Sequence, residues 1–271
     1  MTTVAFQGER GAYSECAVHQ FFGSKVQVKP CRDFRDVFES VKREEVAAGV
    51  VPVENSLEGS INQNYDLFFS YELKVCGEVI VRVEHCLIVN PGTSKGQIKS
   101  VYSHPQALAQ CRRYLEKAKW EIIPTYDTAG SVKIIKEQKL TNAAAIASER
   151  AAELYGMQIL ARDIADNKEN YTRFFVLSKE DSSPTGKDKT SIIFSAKHEP
   201  GSLYSALGEF AKRNINLTRI ESRPTKKTAW EYNFYLDFEG HRTDPKCAEA
   251  LKTLEKYAIF VKVLGSYPKA A

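Results

Sequence analysis

The sequence predicts an α/β protein in two parts, and three observations predict it. From Val4 to about residue 178, short β-branched strands alternate with helical stretches, with glycines or polar runs at the changes. That alternation implies a mostly parallel sheet with helices on its faces. Residues 179–189 are polar, carry Pro184 and Gly186, and read as a linker. Beyond them the chain reads strand, helix, strand, strand, helix, strand, which is the ferredoxin-like order.

Taken in order, a strand at 4–6 meets a glycine turn, Gln7–Gly11, and then a helix over 12–22. A strand at 25–28 precedes a helix with Phe34, Val37, Phe38 and Val41 on one face. Val46–Val53 is a small-residue strand running into Glu54–Ser60 and an aromatic-rich helix through Phe69. Residues 73–89, centred on Val79-Ile80-Val81, are expected to form one crossover strand joining two lobes. A strand at 101–102 leads to a helix from Ser103-His104-Pro105 through Glu116, with Pro105 in the first turn, where its missing N–H costs nothing. A strand at 120–124 precedes a helix opened by Asp127–Ser131. The strand 143–147 is followed by a helix that Ser148 caps, and Ile159-Leu160 begins the return. Arg173–Leu177 is a strand, so Thr172 and Arg173 are expected where a loop enters it. In the tail, strands at 191–196, 217–222, 231–238 and 260–264 accompany helices at 202–213 and 245–257.

Composition narrows the function. The 271 residues are 43% hydrophobic and 27% charged, ordinary for a globular protein. A net charge of +4 with interspersed signs lacks the clustered basic face of a nucleic-acid binder. It is compatible with an anionic small molecule. Lys187–Lys189 is too short for a basic arm. The six cysteines form no C-x-x-C pair and read as reduced, buried thiols. His85 and Cys86, neighbours in a strand-like run, are expected on opposite faces, against a shared metal. No basic segment followed by an apolar run opens the chain, and no apolar run reaches membrane-spanning length, so the cytoplasm is the expected compartment.

Four polar clusters are expected each to follow a strand and open a helix: Gln7–Ser14, Glu54–Ser60, Ser103–Gln106 and Asp127–Ser131. In open α/β sheets, ligands bind beyond the carboxyl ends of strands, and helix N-termini there suit anions. Converging termini would hold a carboxylate-bearing substrate, with serine and backbone donors supplying much of the binding. On the residues alone each cluster has a second reading. Gly8–Gly11 is also a tight turn, Ser103 and Asp127 also plain N-caps, and Glu54-Asn55 also a solvated loop. His104 is also a hydrogen-bonded structural histidine, and Asn170-Tyr171-Thr172 matches a glycosylation sequon. Neither phosphate-binding glycine motif, Gly-x-Ser-x-Gly nor a metal-ligand spacing occurs. What remains is polar catalysis: orient an anion, exclude water and hydrogen-bond a leaving group.

Five segments in register carry a resemblance. Phe6–Ser14, Val51–Ser60, Ser103–Leu108 and Asn170–Phe174 resemble the signature blocks of the prephenate dehydratase family, and Pro200–Leu203 with Glu221–Pro224 resembles its ACT regulatory domain. Gln7 and Glu9 depart from the Leu and Pro common in the first block. The resemblance spans nearly the whole chain and implies a monofunctional form. It implies two periplasmic-binding-protein-like type II α/β lobes and a ferredoxin-like βαββαβ domain. The catalytic part would be residues 1–180, with lobe one about 1–77 plus 160–180 and lobe two about 78–159. The ACT domain would be 191–268.

The implied reaction is a cofactor-free and metal-free conversion of prephenate to phenylpyruvate, water and carbon dioxide. Thr172 would be the essential hydroxyl beside the leaving group, and Glu54, Asn55 and Gln106 would position substrate or its proton. Gly11, Tyr13, Ser14, Ser56, Ser103, His104, Thr128, Arg173 and Phe174 would line the substrate site. Pro200, Gly201, Ser202, Leu203, Glu221, Ser222, Arg223 and Pro224 would bind L-phenylalanine between two ACT domains of a homodimer or tetramer, giving feedback control. Alternatives are an arogenate dehydratase and a non-catalytic two-lobed amino-acid or carboxylate sensor.

Overall fold

The computed structural model describes residues 2–225 and 231–270. The chain divides into two compact units, one running to Tyr65 and including Val79–Phe174, the other Asp66–Glu78 with the chain from Phe175 onward.

The elements up to the linker are β1 (Thr3–Gln7), α1 (Tyr13–Phe22), β2 (Gln27–Cys31), α2 (Phe34–Lys42), β3 (Ala48–Asn55), β4 (Gly59–Ser60), α3 (Asn62–Ser70), β5 (Lys74–Arg82) and β6 (Cys86–Val89). They continue with β7 (Ser100–Ser103), α4 (Pro105–Gln110), α5 (Arg112–Ala118), β8 (Glu121–Pro124), α6 (Thr128–Glu137), β9 (Ala143–Ala147), α7 (Glu149–Tyr155), β10 (Gln158–Ala161) and β11 (Tyr171–Ser178). One sheet has the order β2-β1-β3-β11-β5, with β4 folded back on β3, and a second has the order β10-β6-β9-β7-β8. β1 runs parallel to β2 and β3, and β7 parallel to β8 and β9.

Local sequence explains these elements. α2 begins at a reciprocal cap between Asp33 and Asp36 and buries Val37, Phe38 and Val41 under the first sheet. The alanine-rich strand β9 is buried along its length, so α6 can lie close to it. Ser148 caps α7 by accepting the Ala151 N–H at 3.1 Å.

Four expectations change. Residues 73–89 form two strands, because β5 belongs to the first sheet and β6 to the second, and 83–85 make the step between them. The helix from Pro105 breaks at Cys111, whose φ of −110° and ψ of 19° separate α4 from α5. Glu54–Ser60 opens no helix: Glu54 and Asn55 end β3, and Gly59-Ser60 pairs back onto them. Thr172 lies inside β11, one residue from its start, rather than before it.

The second unit contains β12 (Asp188–Ala196), α8 (Ser202–Ala211), β13 (Leu217–Pro224), β14 (Tyr232–Glu239), α9 (Pro245–Leu254) and β15 (Ala258–Pro268). The sheet order β13-β14-β12-β15 is antiparallel throughout, the ferredoxin-like arrangement. Ile192, Phe194, Phe210, Leu236, Phe238 and Leu254 form its core between sheet and helices. β13 is an edge strand.

In β15, Gly265 sits against the backbone of Val75, and a Cβ there would overlap the Val75 carbonyl. Neither backbone can yield as a side chain would, so the overlap falls on packing. Gly265→Ala is expected to lower unfolding free energy by about 2 kcal/mol or more, the scale of an overpacked core. Urea unfolding compared with wild type measures it.

Candidate active site

At the end of β3 the chain turns, and the Ser56–Glu58 segment directs two backbone N–H groups back at Asn55. Asn55 Oδ1 accepts from Leu57 N at 3.0 Å and from Glu58 N at 3.1 Å. Its Nδ2 must therefore be the donating end. It donates to Asn170 Oδ1 at 2.7 Å, to the Tyr171 carbonyl at 3.2 Å and to Thr172 Oγ1 at 3.0 Å. Asn170 Nδ2 in turn donates to Gln110 Oε1 at 2.9 Å. Asn55, Asn170 and Thr172 are all buried, so each bond forms where water does not compete.

Asn55, Gln110 and Thr172 edge a cleft of about 390 Å³. Its polar lining includes Gln7, Ser14, Asn55, His85, His104, Gln106, Gln110, Asp127, Thr128 and Thr172. Phe34, Pro52, Ile61, Val83 and Phe174 give it apolar walls. The ten-residue helices α1 and α6 both begin at the cleft, at Tyr13 and Thr128. Both turn the positive ends of their dipoles toward the cleft, and at α6 the Asp127 carboxyl already takes the Gly130 N–H. His104 heads α4, where its Nδ1 accepts the Gln106 N–H at 3.3 Å.

Among the described residues lining the cleft there is no lysine or arginine. The carboxyl group among them is that of Asp127, the cap of α6, which accepts the Gly130 N–H at 2.8 Å. Burial pushes Asp127 above the ordinary carboxylate range, against the pull of the Gly130 and Ala129 N–H groups. Burial likewise pushes the Cys111 thiol up to about 12 and those of Cys16 and Cys86 to about 11, so none is a poised thiolate. All six cysteines are free. Among the described residues no group of three His, Cys, Asp or Glu could hold a metal ion. No described helix is long and apolar enough to cross a membrane.

Comparison with known proteins identifies this arrangement. The family model for prephenate dehydratase matches residues 4–182, and that for the ACT domain matches residues 190–256. The chain belongs to the prephenate dehydratase family. It is 43% identical over 266 residues to the prephenate dehydratase of Methanocaldococcus jannaschii, covering 96% of this chain and 95% of that one. It is 46% identical over 276 residues to arogenate dehydratase/prephenate dehydratase 2 of Arabidopsis thaliana, covering 98% and 72%. Among solved structures, the prephenate dehydratase of Arthrobacter aurescens in complex with L-Phe matches with a TM-score of 0.91 at 33% identity, over 99% of this chain and 90% of that one. A protein described as a novel type of quorum quenching acylase matches equally well, at 33% identity and a TM-score of 0.91 over 99% and 98%.

With the prephenate dehydratase family established, the residues its signature blocks singled out divide into three groups. Asn55, Thr172, Gln106, Ser14, His104, Thr128 and Phe174 line the cleft. Tyr13 lines it with its ring, while its hydroxyl is used internally, 2.7 Å from the Glu84 carbonyl and 3.0 Å from His85 Nδ1. Glu54, Arg173, Ser56, Ser103 and Gly11 do not line it. Side chains alternate along a strand, so the faces that present Asn55 and Thr172 turn Glu54 and Arg173 away. Those two approach each other instead, at 3.8 Å. Ser103 Oγ donates to the Ile146 carbonyl at 2.6 Å, joining β7 to β9, and Ser56 Oγ accepts from Tyr171 N at 3.0 Å.

His85, Gln110, Asn170 and Asp127 went unassigned in the sequence. Gln110 stands four residues after Gln106, hence on the same helix face, which is a usable signal. Asn170 and Asp127 stood inside recognised segments. His85 carried no signal, because the step between β5 and β6 that aims it was read as continuous strand.

In the ACT unit a separate cavity of about 370 Å³ is lined by Pro200 and Leu203, with Lys197, His198, Glu199, Tyr232, Phe234 and Ile259 among its other walls. Gly201, with φ +82°, caps α8, and Ser202 is its first residue. Glu221, Ser222, Arg223 and Pro224 do not line this cavity; they lie on edge strand β13.

Gly11 has a different part. It holds φ +88°, and a Cβ would come within 2.7 Å of the Ala151 Cα. Its carbonyl accepts from Ser148 Oγ at 2.6 Å. The turn after β1 is thus clamped to the start of α7. Gly11→Ala adds backbone strain to a backbone clash, and is expected to lower stability by about 3 kcal/mol. Ser148→Ala removes one cap and one clamp bond, and is expected to lower it by about 1–2 kcal/mol. Thermal unfolding of both variants, with Gly11→Ala the less stable, checks the order.

Proposed function

We propose that this chain converts prephenate to phenylpyruvate, water and carbon dioxide, with Thr172 donating a hydrogen bond to the departing hydroxyl. The observation that carries the reading is the polarity at Thr172. Asn55 Nδ2 donates to Oγ1 at 3.0 Å, so the hydroxyl is already an acceptor there and keeps its proton to donate. It has no protein acceptor for that proton among the described residues, and it lines the cleft.

The chemistry needs such a donor. As the ring carboxylate leaves as carbon dioxide, its bonding electrons move through the ring and expel the hydroxyl at the far carbon. Negative charge grows on that oxygen, which takes up a proton as it leaves as water. A hydrogen bond aimed there strengthens as the bond breaks. Aromatisation drives the reaction, so no cofactor is called on. The retained carboxylate fits the N-terminus of α1, since Asp127 already occupies that of α6, and the ring fits the apolar walls. Acylase chemistry is less well served, since Thr172 has an amide donor beside it and not a base.

We read residues 1–180 as the catalytic part and 191–268 as the regulatory one, in which L-phenylalanine acts as feedback effector. The ACT match, the cavity at Pro200 and the L-Phe complex of the Arthrobacter aurescens protein support this. Edge strand β13, with Ile220 exposed on it, supports pairing of ACT units in a homodimer or tetramer.

The test is phenylpyruvate formation from prephenate. Thr172→Ala is expected to lose about 10²- to 10⁴-fold in kcat at unchanged stability, with Thr172→Ser retaining part of it. Phenylalanine is expected to suppress the wild type. Folded wild type that makes no phenylpyruvate overturns the reading.

Arogenate is the second reading, favoured by Asp127 as the carboxyl group in the cleft and by the Arabidopsis relative. Arogenate differs by an ammonium, which Asp127 would receive. Asp127→Asn keeps the helix cap and is expected to lower the ratio of arogenate to prephenate turnover by about tenfold, the scale of one charged hydrogen bond. An unchanged ratio removes Asp127 from specificity.

A further inference from the structure

The amides of the cleft have a single self-consistent set of polarities. The backbone N–H groups of Leu57 and Glu58 hold Asn55 Oδ1, so Asn55 Nδ2 faces Asn170 Oδ1. Asn170 Nδ2 therefore faces Gln110 Oε1. His85 Nε2 lies 2.9 Å from that same Gln110 oxygen, so it can bond there only if it carries a proton.

The other face of the ring meets Tyr13, whose Oη is 3.0 Å from Nδ1 and 2.7 Å from the Glu84 carbonyl. A neutral ring protonated at Nε2 takes the Tyr13 proton at Nδ1 only where Tyr13 gives up its 2.7 Å bond to the Glu84 carbonyl. A protonated ring donates to Tyr13, which then donates to Glu84. Nε2 keeps its proton for Gln110 in both states. The remaining form, a neutral ring protonated at Nδ1, would set two lone pairs against each other at 2.9 Å. Burial holds the ring below the ordinary histidine range, which favours the neutral state.

We propose that His85 is a positioning residue for the dehydration: its Nε2–H holds Gln110 Oε1 in place, and with it the far end of the amide chain that the backbone orients at Asn55 and that reaches the hydroxyl of Thr172. This rests on the reading of Thr172 as hydrogen-bond donor to the leaving group. A half-turn of Gln110 would put its NH₂ against both His85 Nε2–H and Asn170 NH₂. Asn170 could relieve that only by turning against Asn55, which the backbone holds. His85 stands on the step between the two sheets, Gln110 ends α4 beside the second, and Asn170 and Asn55 belong to the first. The chain of amides therefore ties Thr172 to both sides of the cleft.

Two experiments test it on the full-length protein. With ¹⁵N-histidine labelling, long-range ¹H–¹⁵N correlation spectra report which ring nitrogen of each of the five histidines is protonated. His85 is assigned by its loss in His85→Gln. A proton on Nε2 is expected; a neutral ring protonated at Nδ1 overturns the proposal. This readout needs no turnover, so it stands even if prephenate proves not to be the substrate. The second is kinetic. His85→Phe keeps the ring's bulk, and leaves Gln110 Oε1 with Asn170 and Tyr13 with Glu84, so no buried group is orphaned. It is expected to lower kcat about 10- to 100-fold, the scale of a misplaced catalytic group, with KM within about threefold. His85→Gln, which restores an N–H donor, is expected to recover kcat to within about threefold of wild type. Wild-type kcat in His85→Phe, or no recovery in a folded His85→Gln, overturns the proposal.

Discussion

The Asn55 carboxamide cannot choose its orientation, and the cleft is built outward from that fact. A carboxamide is ambivalent until something at one end is fixed. Here the fixed thing is backbone: the turn after β3 aims the N–H groups of Leu57 and Glu58 at Oδ1. Backbone polarity cannot be reversed by a flip or a titration, so every later bond inherits it. The β4 strand pairs Glu54 with Ser60 and Asn55 with Gly59, which closes the turn and holds it. A hairpin of two residues thereby governs the direction of hydrogen bonds that extend to Gln110 and His85 on the far side.

The sheet then decides which residues share that field. β3 and β11 are neighbours in the first sheet, and their alternation puts Asn55 and Thr172 on one face. The adjacent residues Glu54 and Arg173 turn to the other face and meet each other. A one-residue slip of β3 would exchange Asn55 for Glu54, and one of β11 would exchange Thr172 for Arg173. The fully buried run Phe174–Leu177 resists that slip, since it would have to repack together.

Much of this was legible in the sequence, because its causes are local. Strand and helix periodicity, the Ser148 cap and the βαββαβ tail depend on near neighbours, and the fold follows them. Asn55, Gln106 and Thr172 were legible through blocks whose spacing reflects the ends of strands. The blocks also named Glu54 and Arg173, which do not line the cleft, since a block of adjacent residues does not say which of two alternating faces meets it. His85 was illegible for a related reason. Its direction depends on β5 and β6 belonging to different sheets, a fact of long-range pairing that the β-rich stretch 73–89 conceals. The break at Cys111 was hidden similarly, inside a run of good helix formers.

The make-up of the cleft is what a decarboxylating dehydration asks for. One carboxylate of the proposed substrate ends as neutral carbon dioxide. A fixed cation placed against it would stabilise the ground state more than the transition state and so oppose the step. The described lining holds no lysine or arginine, and it offers apolar walls where such a group can lie without strong compensation. The other end of the reaction has the opposite need, since charge grows on the departing oxygen. There the proposed donor is a hydroxyl already occupied as an acceptor by a buried amide, and so held before substrate arrives. Holding the donor in advance removes the cost of turning a dipole during the reaction, which is where preorganised polar groups act most strongly. On the same reading the N-terminus of α1 supplies attraction for the carboxylate that stays, and because its charge is the same before and after, binding it there holds the substrate without opposing the chemistry.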